Sequence, residues 1–155
     1  MQTTRSLDAL TATAQAHGAA AALQYLNAGV PHRFSAMYRL EGDILRNLLL
    51  HDKSGEIRPA YLAEVPLDSS FCQFVLRDGV FKTSDSAADS RLDGHPYQGV
   101  MVCYHGVPWQ TDSGEIGGTL CHFDLLPLGL SDAEFALLQQ AAQLLPAYLQ
   151  ADSAA

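Results

Sequence analysis

Residues 100–126 read VMVCYHGVPWQTDSGEIGGTLCHFDLL, and no other stretch restricts the fold as much. Two apolar runs, rich in β-branched and aromatic residues, flank the polar segment Thr111-Asp112-Ser113-Gly114. Such runs favour strands, and Gly114 supplies the positive φ that a tight turn uses. Met101–Gln110 and Glu115–Leu125 are therefore expected as the central hairpin of an antiparallel sheet. Neither run alternates between apolar and polar residues, as a strand with one wet face does. Both faces of the hairpin must then be covered, one by helices and the other by a pocket or loop layer. With the turn centred on Asp112-Ser113, Tyr104 falls opposite Cys121 and Cys103 opposite His122.

The remaining segments read as partners for that hairpin. Leu7 to Leu26 is rich in alanine and strong helix formers, with Ser6 as a bare cap signal. Leu7, Leu10, Ala14, His17, Ala21 and Leu26 share a side of this helix, Gly18 weakens its middle, and Gly29 and Pro31 end it. The small alanine face suits covering the sheet and suits equally a seam between two copies. His32–Leu40 and Ile44–His51, joined by Glu41-Gly42-Asp43, read as a second hairpin. Ile57 to Leu67, with Pro59 and Pro66, reads as irregular or an edge segment. Asp68 or Ser69 is expected to cap a helix from Ser70 to Arg77, and Asp78-Gly79 to stop it. Val80–Thr83 is a short strand, and Asp85–Gly99 a long polar loop with one helical turn. Ser131 with Glu134 forms a capping box, after which Phe135, Leu138, Ala142 and Leu145 make one apolar side and Pro146 a kink or stop.

Composition excludes several classes of function. A formal net charge of −8 over 155 residues opposes general nucleic-acid binding and adhesion to an anionic membrane surface. No apolar run approaches the roughly 20 residues that cross a bilayer. MQTTRSLDAL lacks the apolar core of a signal peptide, and the three cysteines, at 72, 103 and 121, form no disulfide framework, so a cytoplasmic chain is expected.

Four motifs, in order, carry a resemblance. They are Ser69-Ser70-Phe71-Cys72-Gln73-Phe74-Val75-Leu76; Phe81-Lys82-Thr83-Ser84-Asp85 continuing through Asp89-Ser90-Arg91-Leu92; Gly106-Val107-Pro108 followed by Gly117-Gly118-Thr119-Leu120-Cys121-His122-Phe123-Asp124; and Leu130-Ser131-Asp132-Ala133-Glu134-Phe135. Over about three quarters of the chain they resemble the GAF domain family. The resemblance implies an α+β fold: an antiparallel sheet of five or six strands, terminal helices on one face, and a short helix plus lid loop on the other. It implies one domain over residues 1–155, with an N-terminal helix at 6–28, the sheet at 32–126 and a C-terminal helix at 131–150. It further implies a non-catalytic, cytosolic sensor of a small molecule, paired as a homodimer through its terminal helices.

The ligand and cofactor stay open. Strand parity places Val102, Tyr104, Gly106, Thr119, Cys121 and Phe123 on the face that the resemblance assigns to a pocket. The facing helix offers Phe71, Cys72 and Val75, and the lid loop offers His95 and Tyr97. This set is aromatic and apolar with a few hydroxyl and thiol groups, which suits a small uncharged or aromatic ligand. The same residues also suit a closed core in a pure interaction module.

A redox enzyme or thiol sensor using Cys72 and Cys121 is the reading from another class. Cys72 matches in place a cysteine of the free methionine-(R)-sulfoxide reductases. The attacking cysteine of those enzymes is missing from Gly94-His95-Pro96-Tyr97-Gln98-Gly99, and their pocket acids are replaced by Tyr104, Cys121 and Phe123. No cyclic-nucleotide motif is present, and the lone Cys-His pair, Cys121-His122, lies in a strand rather than where bilins attach. Cys103, His105 and His122 lack a fourth ligand for zinc and are read as core.

Overall fold

The computed structural model describes residues 6–55 and 60–153. Its centre is a six-stranded sheet, in the order β3-β2-β1-β6-β5-β4, with every neighbouring pair antiparallel. The strands are β1 (Phe34–Glu41), β2 (Ile44–Asp52), β3 (Glu64–Pro66), β4 (Phe81–Thr83), β5 (Cys103–Gln110) and β6 (Ile116–Asp124). β6, buried from Gly117 to Asp124, and β1, buried from Phe34 to Tyr38, occupy the middle of the sheet. The fold is α+β, with helices packed on both faces.

The terminal helices cover one face. Ser6 caps α1 (Leu7–His17) by accepting from the Ala9 amide at 3.1 Å. The expected single N-terminal helix is two. Gly18, at φ 93°, breaks it and starts α2 (Ala19–Ala28) on a new phase. The buried side of α2 is therefore Ala19, Ala22, Leu23 and Leu26 with Asn27, while Leu7 and His17 point to solvent. Ser131 caps α5 (Asp132–Leu144) by accepting from the Glu134 amide at 3.2 Å. Pro146 begins α6 (Pro146–Ser153). Leu10, Ala14, Leu23, Leu138, Ala141 and Leu145 pack on Met37, Val107, Trp109 and Leu120 of the sheet. Phe135 is only half-buried, beneath the Lys82 ammonium.

The opposite face is covered by short pieces. α3 (Ala60–Ala63) leads into the edge strand β3, which pairs with Ile44–Arg46. Ile57, Arg58 and Pro59 lie outside the described residues. α4 (Cys72–Asp78) follows, ended by Gly79 in the left-handed conformation. Neither Asp68 nor Ser69 caps it. Leu67–Ser69 forms a 3-10 turn instead, and Phe71 precedes α4 without a side-chain cap. Residues 85–102 contain two further 3-10 turns, at Ser86–Ala88 and Ser90–Leu92.

The central hairpin is offset by two residues from the expected register. Tyr104 pairs with Phe123, Cys103 with Asp124 and His105 with His122. The cause is an asymmetric turn: Thr111 donates to the Glu115 carbonyl, and a bulge at Trp109/Gln110 adds one residue to the β6 side. An offset of two keeps every side chain on its expected face, whereas an offset of one would have exchanged the faces.

Candidate functional site

Between α4 and the sheet lies a partly open cavity of about 60 Å³. Its wall is almost wholly apolar. The floor is Tyr38 on β1, Tyr104 on β5, and Cys121 and Phe123 on β6; the roof is Ser70, Phe71 and Cys72. Leu62 and Val65 close one side, and Tyr97 and Met101 the other. Typical small-molecule pockets span about 300–1,000 Å³. An occupant of that size needs the cavity to widen.

Local sequence explains why Tyr104 dominates the floor. Gly106 lies two residues along the same strand, and the outer end of the Tyr104 ring lies over it, so that a Cβ there would overlap the ring. Phe71 meets Tyr104 edge to face at 5.8 Å, and Phe123 stacks alongside at 6.5 Å. Phe34 stacks on Phe123 at 5.0 Å and extends the aromatic row.

Polar groups in this region bond to one another. Cys72 Sγ lies 3.1 Å from the Tyr104 hydroxyl and accepts from Thr119 Oγ1 at 3.3 Å. Cys121 also hydrogen-bonds Tyr104, and its thiol reaches the Ala36 carbonyl at 3.7 Å. Tyr38 donates its hydroxyl to the Leu62 carbonyl at 3.0 Å, which ties the cover to the sheet. Burial pushes the Cys72 thiol up, against hydrogen bonds from Thr119 and Tyr104 that pull the other way. Burial raises Cys121 and Tyr104 well above their ordinary values. All three therefore stay protonated at neutral pH. No charged side chain lines the cavity.

Of the residues singled out from the sequence, Phe71, Cys72, Tyr97, Tyr104, Cys121 and Phe123 line the cavity. Val75 is fully buried behind Cys72, and Thr119 touches the cavity only through Cys72. His95 packs on Phe71 at 4.7 Å and bonds the Ser70 carbonyl at 3.2 Å, so it holds the roof from outside. Val102 takes no part. β5 begins one residue later, and Val102 is held by backbone bonds to Asp124 and Ser86. Tyr38, Leu62, Val65, Ser70 and Met101 were not singled out. The pairing of Tyr38 with Thr119 across β1 and β6 is the signal that places Tyr38 on this face.

Cys103, His105 and His122 lie on the other face. Among the described residues, no group of three or more His, Cys, Asp or Glu side chains is arranged to hold a metal ion.

The sequence matches no family model and no curated protein. Solved structures do match. The type II free methionine-R-sulfoxide reductase from Thermoplasma acidophilum is 21% identical, over 92% of this chain and 96% of that one, with a TM-score of 0.66. The free methionine-R-sulfoxide reductase from Neisseria meningitidis, in complex with its substrate, is 16% identical over 99% and 97%, with a TM-score of 0.69. The GAF domain of an Acinetobacter phosphoenolpyruvate-protein phosphotransferase is 14% identical over 96% and 94%, with a TM-score of 0.71. At these identities the likeness concerns the backbone, and it reaches nearly end to end in each pair. Together with the strand order and the helix-covered sheet, it establishes that this chain has the GAF fold.

Proposed function

We propose that this chain is a non-catalytic sensor domain that takes a small, uncharged, apolar or aromatic molecule between α4 and the sheet. The observation that carries the reading is the cavity wall: aromatic, almost wholly apolar and without a charged side chain. A carboxylate, ammonium or phosphate would lose its hydration there and gain no counter-charge. The cover is made of separate short segments, so enlargement needs no change in the sheet.

A thermal-shift screen tests this. Uncharged aromatic compounds should stabilise the wild type, since a ligand that binds only the native state raises stability by mass action. Tyr104→Ala should lose that shift. Hits that persist unchanged in Tyr104→Ala would place the site elsewhere.

The thiol-chemistry reading has one observation in its favour, the contact of Cys72 with both Tyr104 and Thr119. Reduction of free methionine sulfoxide, lost in Cys72→Ser, would support it. Burial of the thiol and the uncharged wall favour the ligand reading. The proposal includes a cytoplasmic location and a homodimer formed through the terminal helices, where Ala20 is exposed and Ala21 half-buried. A concentration-independent monomer mass would remove the dimer.

A further inference from the structure

The face of the sheet turned away from the cavity carries a buried polar cluster that ligand binding does not use. Three imidazoles meet there. His32 lies in the turn after α2, His105 on β5, and His122 directly across from it on β6. All three are buried, His32 and His122 completely. His32 Nε2 stands 3.1 Å from His105 Nδ1, and the two rings cross edge to face. His122 lies beside His32 at 5.7 Å, with its Nδ1 2.5 Å from Ser35 Oγ.

The cluster is also where the N-terminal helices join the sheet. Asn27, in the last turn of α2, donates its amide to the His32 carbonyl at 3.0 Å and to Ser35 Oγ at 2.8 Å. Lys53 donates to the Asn27 carbonyl at 2.6 Å, to Asn27 Oδ1 at 2.5 Å and to the His32 carbonyl at 2.9 Å. A cation thus closes the negative end of α2.

Hydrogen-bonding capacity decides what an added proton does. His32 Nδ1 is buried with no hydrogen-bond partner among the described residues. The neutral tautomer that orphans no donor carries its proton on Nε2 and donates it to His105 Nδ1. A second proton on His32 must sit on Nδ1, as a buried N–H without an acceptor. A proton taken up at His105 Nδ1 turns two donors toward each other. His32 must then accept through Nε2 and move its own proton to Nδ1. Both routes end with a cation and an orphaned donor in a place closed to water, a costly state.

The surrounding charges do not reverse this. Lys53 faces His32, and Lys82 on β4 faces His105; both oppose a further positive charge. Asp124 on β6 favours one, yet it already accepts from the amides of Arg33 at 2.7 Å, Leu125 at 2.6 Å and Leu126 at 3.2 Å. The Arg33 guanidinium is paired with Asp52 at 2.8 Å. The Cys103 thiol, pushed up to about 11 chiefly by burial, adds no charge. His51, opposite Ser35 on β2, is itself lowered by burial.

We infer that the His32–His105 pair is an acid-releasable joint, which holds the N-terminal helix pair on the sheet while neutral and loosens it when a proton enters. The sign follows from the folded values. Burial holds His32 and His105 down at about 4, against an ordinary 6.5. Stability from the neutral pair is complete above the ordinary value and is lost as the pH falls through it toward the folded value. His105 sits between Tyr104 and Gly106, and His122 between Cys121 and Phe123. The strands that carry the joint on one face therefore carry the cavity floor on the other.

Imidazole NMR combined with amide hydrogen exchange on the whole chain tests the joint. His32 and His105 should titrate below pH 5. Between pH 7 and pH 5, corrected for intrinsic rates, residues 19–28 should lose about tenfold more protection than β1 and β6. In His105→Gln, whose amide oxygen accepts from His32 but does not titrate, that selective loss should shrink to less than half. Titration of both imidazoles near 6.5 would overturn the inference, as would equal losses in the wild type and His105→Gln. If His105→Gln does not fold, the wild-type titration and exchange pattern decide alone.

Discussion

The two faces of β1, β5 and β6 are built from different materials. On the helix side, Met37, Val107 and Leu120 meet leucines and alanines of four helices, and Trp109 fills the space beneath them. On the cavity side, the same strands present Phe34, Tyr38, Tyr104, Cys121 and Phe123 to short segments with free volume between them. Each face also lays one aromatic ring over glycine. The Trp109 indole crosses Gly117 and Gly118 and donates to the Tyr38 carbonyl at 2.9 Å, whereas the Tyr104 ring crosses Gly106 beside the cavity. Equivalent changes on the two faces should differ in cost, because only one has somewhere for displaced atoms to go.

The largest expected effect is on the solid face. A Cβ at Gly118 would sit inside the Tyr38 carbonyl group and against the indole nitrogen. Backbone cannot yield there without parting β1 from β6. Gly118→Ala should cost about 4 kcal/mol or more by chemical denaturation, at the extreme of single substitutions. A cost below about 1 kcal/mol would mean that the central strands are not held at fixed spacing, and the contrast between faces would fail.

Gly106→Ala should be milder. The added methyl overlaps only the outer part of the Tyr104 ring, a side chain that can swing into the cavity. The expected cost is about 1–3 kcal/mol, the usual range for overpacking. The same variant should lose ligand-induced stabilisation, because the ring then fills the space. An unchanged thermal shift with any hit compound would separate the ligand from this cavity.

How legible these faces were depended on the kind of signal. Strand parity survived a two-residue error in the hairpin register, so Tyr104, Cys121 and Phe123 still fall on one face. Parity said nothing of where a strand begins, and Val102 was placed wrongly because β5 starts at Cys103. Helix phase was lost at Gly18, where a positive φ resets the direction of the chain. The cover was the least legible part. Leu62 and Val65 lie on a short helix and a three-residue edge strand, too brief for any period to emerge. The histidine joint was hidden for another reason. The central hairpin already brought His105 and His122 together, but His32 comes from the turn after α2, and only the fold brings it to them.

Tyr38→Phe probes how the cover is held. The lost hydroxyl leaves the Leu62 carbonyl without its bond, in a segment otherwise tied by three ladder pairs to β2. The expected cost is about 1–3 kcal/mol, the range for a buried acceptor left unsatisfied. Amide exchange should rise in residues 62–65 and stay unchanged in the terminal helices. A uniform rise across the chain would show that this segment is part of the global fold rather than a separate cover.

The smallest effect concerns the thiols, and it separates the two readings of the cavity side. Attack on an alkylating reagent requires thiolate. Burial raises Cys72 and Cys121 above their ordinary values, and Cys103 from 9.0 to about 11. Each unit of rise lowers the thiolate fraction about tenfold at a pH below both values, so Cys103 alone should label roughly a hundredfold slower in the folded chain than when unfolded. Cys72 and Cys121, buried beside the cavity and held protonated, should also label slowly in the folded chain. Intact-mass kinetics at neutral pH, with and without denaturant, measure this, and the native stability should not change during the experiment. Rapid labelling of one site, mapped to Cys72, would show that the roof opens readily and that the thiol there is available for chemistry. Slow labelling of Cys72 that slows further when an uncharged aromatic compound is added would instead tie opening of the roof to occupancy of the cavity, since a ligand that binds only the closed form lowers the population of the open one.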